Sequence, residues 1–462
     1  MKTIFIPIFV PSVARNILRT DVWKKLRQKQ DLRVVLFAPS YKKDFYRKEV
    51  GAENVFFEPL DNFNDPLNKL DSFFRHLALF FVDNETIKCL RRMRLEKENN
   101  YIFYFFSWLL IKLFSNLSFL RRTARLLDYF LVRDTKLAKY FEQYKPDLVF
   151  APHIIHACDQ AFIREAKRRK IKTVGLIHSW DNLTANKSAM RINPDVLIVP
   201  NEITKREAEK LCDYPGNRII IAGMPHFDYY FTEKPCAREA FFKRIGGDPA
   251  KRLILFAAIG KSFSDTEWQD VQIISDAIDR GDLPSDLQIL VRMHPNPAAH
   301  MIDRGLKKSK TILFDVPGIQ LPAPGGVSEE MLFDDMMHLY NTLFYSDIVV
   351  TIQSTMSIDA SAFDKPVINV CFDGWEKKPF YDSTSVLQLH HYTHYQPILK
   401  SGGVRLAKTA EDLIASINLY LKHPELDREG RARVVKEQCW KFDGGAGKRI
   451  ADAILKSLDT TI

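Results

Sequence analysis

Short runs rich in Val, Ile and Phe recur between segments of helical periodicity, and this alternation constrains the fold more than any other feature of the chain. The runs fall at residues 3–10, 33–38, 54–58, 147–151, 172–177 and 195–199, and then at 252–259, 287–293, 311–315, 347–352 and 366–371. Each is bounded by Pro, Gly or Asp, and amphipathic stretches such as DQAFIREAKRRK lie between them, so they predict parallel strands alternating with helices. The pattern occurs twice, and 462 residues exceed one ordinary core. The break lies between about residues 223 and 251, where GMPHFDYYFTEKP is followed by CAREAFFKRIGG. We therefore expect an α/β protein of two doubly wound domains, 1–232 and 246–462, joined by a linker at about 233–245. Ligand sites then belong at the carboxyl ends of the strands, facing a central cleft.

Charge and cysteine usage narrow the function. Lys and Arg total 67 against 57 Asp and Glu, a net charge of +10 that suits contact with phosphates, nucleic acid or an anionic membrane. The basic residues are scattered and form no nucleic-acid-binding signature, so no nucleic acid partner is expected. Six cysteines lie far apart without a CxxC pair, which indicates neither a disulfide framework nor a zinc site and fits a reducing cytoplasm. MKTIFIPIFV leads into Pro11 and Arg15 without a small-residue cleavage site and is expected to form a buried first strand, not a signal peptide.

One segment breaks the pattern. Tyr101 to Leu120 is apolar nearly all round with one charge, Lys112, inside a stretch, 88–134, that holds ten basic and four acidic residues. Arg91, Arg92 and Arg94 precede it and Arg121, Arg122 and Arg125 follow it, without the one-sided asymmetry that orients a membrane span. Periodicity leaves open a core helix, an interfacial helix docked on anionic lipid and a true span; docking at the inner face of the cell membrane, not spanning, is the expectation.

Neither GxxxxGK[ST] nor GxGxxG is present, which argues against a P-loop enzyme or a plain dehydrogenase. Three strand-end motifs remain. In VGLIHSWDNLT the strand ends at His178, placed to act as a base, with Asp181 near enough in sequence to orient it or replace it. In LQILVRMHPNP, Pro295 stops a strand and presents Arg292 and His294 at its rim, where they can hold a phosphate. In SDIVVTIQSTMSIDASAFDKP, Gln353, Ser354 and Thr355 open a helix whose hydroxyls and amides suit an anion, with Asp359 one turn on. Gly260 and Lys261, after the first strand of the second half, are further candidates for approach to a phosphate.

Together with GMPHFD at residues 223–228, these motifs, spanning about 145–375, resemble those of the CDP-glycerol glycerophosphotransferases in order and placement. The His-Ser-Trp-Asp run stands where that family has His-Gly, RMHP resembles its Lys-Leu-His-Pro, and Ile352-Gln353-Ser354-Thr355 replaces Asp-Tyr-Ser-Ser. Similar patterns occur in bacterial sialyl- and Kdo-transferases that use CMP-sugars. The resemblance implies a GT-B glycosyltransferase architecture of two Rossmann-like domains, with the acceptor in the first, the nucleotide-activated donor in the second, and no metal or other cofactor. The implied activity is transfer of a sugar from a nucleotide-sugar donor to a saccharide or lipid-linked acceptor of a bacterial surface polysaccharide. His178 and Asp181 would be catalytic; Gly260, Lys261, Arg292, His294, Pro295, Gln353, Ser354, Thr355 and Asp359 would bind the donor. Polyol-phosphate transfer and non-hydrolysing UDP-sugar 2-epimerisation are the alternatives among enzymes, and a basic membrane- or nucleic-acid-binding protein is the alternative outside them.

Overall fold

The structure, a computed structural model, describes residues 1–61, 66–185, 189–296, 305–307, 309–324 and 326–460. Its first sheet contains β1 (Lys2–Pro7), β2 (Leu32–Ala38), β3 (Val55–Pro59), β4 (Leu148–Ala151), β5 (Lys172–Leu176), β6 (Val196–Val199) and β7 (Ile219–Ile221). These seven strands are parallel in the order β3-β2-β1-β4-β5-β6-β7. Next come β8 (Arg252–Ala257), β9 (Leu287–Arg292), β10 (Ile312–Asp315), the antiparallel hairpin β11 (Ile319–Ala323) and β12 (Gly326–Glu330), then β13 (Ile348–Thr351), β14 (Val367–Val370) and β15 (Arg405–Ala407). The second sheet is parallel in the order β10-β9-β8-β13-β14-β15. The strand order reverses between β1 and β4 in one sheet and between β8 and β13 in the other, and a doubly wound sheet opens its crevice at that point.

Both faces of each sheet are covered, which explains the unbroken apolar runs. Ile4 and Ile6 of β1 pack in one core with Leu148 and Phe150, while Phe5 packs in the opposite core with Val149 and Ala151. The two-domain α/β expectation is met, and all eleven apolar runs contain a strand. The three-residue β7 and β15 are too short, and the hairpin too polar, to register in such a reading.

The packing departs from the expected division at 232 and 246. Ala222 belongs to the first core, whereas Met224, Phe227 and Tyr230 pack with Leu255, Met336 and Ile358 in the second. The chain crosses at Gly223, whose φ of +86° and a Cβ position only 3.0 Å from Ala446 Cβ both favour glycine. The expected linker is also partly core, because helix Arg238–Ile245 buries Phe241 and Phe242 against Leu253 and Leu290. Helix Ala446–Asp459 crosses back, placing Ile450 and Ile454 among Val22, Trp23 and Leu148 of the first core. Its N-terminus is fixed by Asp228, which accepts the amides of Ala446 (3.1 Å) and Gly447 (2.8 Å). A further tie is Glu330 on β12, fully buried, which accepts Lys42 Nζ (2.8 Å) and Tyr46 OH (2.5 Å) and lies 3.1 Å from Arg19 Nη2.

The apolar segment forms two helices, Tyr101–Asn116 and Ser118–Leu131, bent by 95°. Only Ser107 and Ile111 of the first helix are buried, while Ile102 is 86% and Phe105 63% exposed, so it is not a core helix. Among the described residues no single helix is long and apolar enough to cross a membrane; this bent pair passes that test jointly, by length and composition alone. Half of the expected basic rim, Arg91, Arg121 and Arg125, is turned inward. Arg121 (2.6 Å) and Arg125 (2.9 Å) bind Asp213, and Arg91 donates to Ser107 Oγ and the Tyr104 carbonyl. Arg92 and Arg94 pair with Glu96 and Glu98 on their own helix, and Arg122 is exposed in the C-terminal flank with no carboxylate partner among the described residues. A carboxylate on a neighbouring element lay beyond what charge counting within the segment registers.

Candidate active site

Two switch points face each other across the interdomain cleft. On the first domain, Pro11 opens helix Pro11–Leu18 just after β1, a position where its missing N–H costs nothing. That helix presents Ser12, whose Oγ lies 3.5 Å from His178 Nε2 at the end of β5. Asn16, one turn on, donates from Nδ2 to the His178 carbonyl (3.4 Å) and accepts Arg15 Nε (2.9 Å). The His178 ring is met edge-on by His153 at 4.2 Å, and His153 in turn stacks with His156. Burial holds His156 down to about 4, with the Arg75 charge adding to the effect, so it is neutral at pH 7.

Asp181 accepts the Ser179 hydroxyl (2.5 Å), and its backbone carbonyl receives the amides of Thr184 and Ala185, so it shapes the turn after β5. Its charge also reaches Glu207, which burial first and Asp181 second push up to about 8.

On the second domain, Gln353, Ser354 and Thr355 follow β13 at the switch point. Gln353 Nε2 donates to His394 Nε2 (2.6 Å), which makes that ring nitrogen the acceptor. Ser354 Oγ accepts the Met356 amide (3.2 Å), a local turn bond at the start of helix Met356–Ala362. Thr355 Oγ1 accepts Trp180 Nε1 (3.1 Å), and the Trp180 ring stands edge-on to His394 at 5.0 Å. This bond joins the His178–Asp181 motif directly to the Gln353–Thr355 motif across the cleft.

Asp359 is buried and accepts Tyr230 OH (2.6 Å). Burial pushes it up to about 6, against the Tyr230 bond and the charges of Arg15 and Arg292. Arg292 is buried and bound to Asp315 on the neighbouring β10, and Asp315 also meets His338 Nε2 at 3.1 Å. Arg292 is thus one arm of an internal ion pair, and its charge reaches Asp359 from behind. His294 is half-buried and its Nδ1 accepts the Asn296 amide (3.0 Å) through the turn at Pro295.

The loop after β8 departs most from expectation. Gly260, at φ +91°, turns its amide and that of Ile259 onto Glu267 (3.0 and 2.8 Å), and Lys261 lies exposed beyond it. The cradle anticipated for a phosphate holds the protein's own carboxyl, which burial pushes up to about 7 against those two amides. A cavity of about 1220 Å³ is lined by Asn84, Thr184 and Arg206 and by Thr393, Gln396 and Trp440; none of His178, Trp180, Asp181, Gln353, Ser354 and Thr355 lines it.

Sequence reading missed Ser12, Arg15, Asn16, His153, Tyr230 and His394. His153 was within reach, since it follows the recognised strand at 147–151 as His178 follows its own. His394 follows no strand, and Arg15 reaches the site only because a helix turns it there. Among the described residues no group of three or more His, Cys, Asp or Glu is arranged to hold a metal ion, and all six cysteines are free.

Two parallel-sheet domains with facing switch points constitute the GT-B architecture of glycosyltransferases and nucleotide-sugar epimerases. Within it, a family model described as CDP-glycerol:poly(glycerophosphate) glycerophosphotransferase matches residues 170–456, and the chain belongs to that family. The UDP-GlcNAc 2-epimerase of Neisseria meningitidis bound to UDP-GlcNAc is similar in fold, with a TM-score of 0.57 at 13% identity over 99% of this chain and 100% of that one. The S. aureus MnaA–UDP structure gives 0.56 at 14% identity over 99% and 97%. The wall teichoic acid polymerase TagF gives 0.51 at 12% over 99% and 89%. No curated protein matches the chain in sequence.

Proposed function

We propose that the protein transfers a group from a nucleotide-activated donor to a hydroxyl of a saccharide or lipid-linked acceptor during synthesis of a bacterial surface polymer. The Trp180–Thr355 bond carries this reading, because it brings a first-domain base and a second-domain phosphate site to one cleft, and the matched family spans both motifs. His178 takes the acceptor proton, with Asp181 as the alternate base. The acceptor oxygen bonds to the donor's reacting atom while the bond to the nucleotide phosphate breaks and its electron pair leaves with that phosphate. His294, Pro295, Gln353, Ser354 and Thr355 line the departing charge, Arg292 adds field from its ion pair, and Asp359 holds a donor hydroxyl. Arginine, histidine and hydroxyl groups supply this stabilisation, so no resident metal is required. Family membership favours a cytidine nucleotide, carrying either a sugar or a polyol phosphate.

The first test is thermal stabilisation by CMP, CDP, UDP and GDP, followed by transfer assays with CDP-glycerol and CMP-sugars in EDTA. At 100 times its dissociation constant a nucleotide adds about 2.7 kcal/mol. Stabilisation by a cytidine nucleotide and EDTA-resistant transfer support the reading. No nucleotide effect sinks it, and formation of the 2-epimer from UDP-GlcNAc alone replaces it with epimerisation.

We also propose that helices Tyr101–Asn116 and Ser118–Leu131 dock the first domain on the inner face of the membrane. Exposed Ile102, Phe105, Phe106, Leu109 and Leu113 support it, with exposed Lys97 and Arg122 beside them. Because Arg121 and Arg125 are internal, apolar burial outweighs charge here. Replacing Phe105 and Phe106 by Asp should abolish sedimentation with phosphatidylglycerol vesicles, while 0.5 M salt, on the order of a 4–5 Å screening length, should only weaken it. Wild-type protein that ignores such vesicles at low salt refutes docking.

A further inference from the structure

The cleft contains an arginine that the donor site described above does not use. Arg15 lies on helix Pro11–Leu18 of the first domain, which packs against Pro225–Phe227 and β12 on the second-domain side. Its Nε is fixed by Asn16 Oδ1 (2.9 Å), and Asn16 is itself buried and anchored to the carbonyl of His178. Nη1 and Nη2 donate to no group among the described residues. The side chain is half-buried, and its charge reaches Asp359, Tyr230 and Tyr229.

Such an arrangement is unusual for a structural arginine. Arg121, Arg125, Arg164, Arg191 and Arg431 each place at least one Nη on a carboxylate or carbonyl. The one carboxylate whose field Arg15 shares most strongly, Asp359, accepts Tyr230 instead. A guanidinium anchored by Nε and left with a planar two-nitrogen edge matches the geometry of a phosphate's oxygens. The Tyr230 hydroxyl donates to Asp359 and Thr355 Oγ1 accepts Trp180 Nε1, so neither bond involves the guanidinium, and a ligand phosphate in the cleft offers it the acceptors it lacks.

We propose that Arg15 grips a phosphate of the nucleotide donor from the first-domain side of the cleft. Donor binding then draws on both domains: the second supplies the strand end Gln353–Thr355, and the first closes over it with a cation held in register with the base His178 through Asn16. The inference rests on the reading that the donor's phosphate lies at that strand end.

Calorimetry with CDP and cytidine on the full chain tests it. Arg15→Ala should weaken CDP about 10- to 100-fold, the range for hydrogen bonds to a charged group, and leave cytidine within about twofold. Arg15→Lys keeps the charge without the planar edge and should recover only part of the loss. Equal CDP affinity in wild type and Arg15→Ala overturns the inference while leaving the proposed function standing, and an equal loss for CDP and cytidine overturns it in favour of a structural role. If Arg15→Ala lowers the melting temperature of the ligand-free protein, Arg15→Lys decides: CDP affinity equal to wild type overturns the proposal, and selective loss for CDP supports it. Wild-type protein that binds neither CDP nor UDP removes the donor reading itself.

Discussion

His178→Ala should lower turnover by about 10²–10⁴, the usual contribution of a positioned general base, while CDP affinity stays within about twofold of wild type. The split follows from location. The imidazole is bounded by Ser12 and His153, and its backbone is held by Asn16, all on the first domain, so its loss spares the groups placed on the phosphate. The measurement is steady-state transfer beside nucleotide titration on the same preparation. Turnover within tenfold of wild type would shift the base to Asp181, whose carboxylate already receives the Ser179 hydroxyl in the same turn.

Asp128→Ala should cost about 3–5 kcal/mol of unfolding free energy, because it leaves the buried Arg164 guanidinium without its carboxylate and takes from Arg191 one of two. Asp128, 1% exposed, accepts Arg164 Nη2 (2.5 Å) and Arg191 Nε (2.6 Å), and Arg191 reaches on to Asp71 (2.8 Å). Burial works to raise Asp71, yet Arg191 and the Leu67 amide hold it below the ordinary carboxylate value. Its contribution is therefore present above pH 4 and is lost as pH falls through the depressed value. The network ties helix Ser118–Leu131 to helix Ala157–Arg168 and so fixes the exposed apolar pair to the body of the domain. Urea titration at neutral pH measures the loss, and an unchanged midpoint would show that the network carries no net stability.

The strand-end motifs were legible because a strand end is a local event. An apolar run that stops at His178, at Arg292 or at Gln353 puts the next residues at the rim of a sheet whatever the neighbouring strands do. Local sequence gave no warning of what those residues meet. Arg292 looked like a cation offered to a ligand, and Asp315 on the adjacent strand takes it. Gly260 looked like a phosphate cradle, and Glu267, seven residues on, fills it. Arg121 and Arg125 looked like a membrane rim, and Asp213, about ninety residues on, draws them inside. In each case the group was read correctly and its partner lay on another element.

The sequence by itself determined the alternation of strands and helices, the doubling into two sheets and the rims where the motifs stand, since apolar periodicity and chain-breaking residues act over a few positions. Tertiary structure alone decided where the chain crosses between domains, that its last helix returns to the first core, and that Arg15, Tyr230, Trp180 and His394 share a cleft with His178 and Thr355. Those meetings join residues separated by up to hundreds of positions, and they depend on the packing of whole helices and on which buried charge finds which partner.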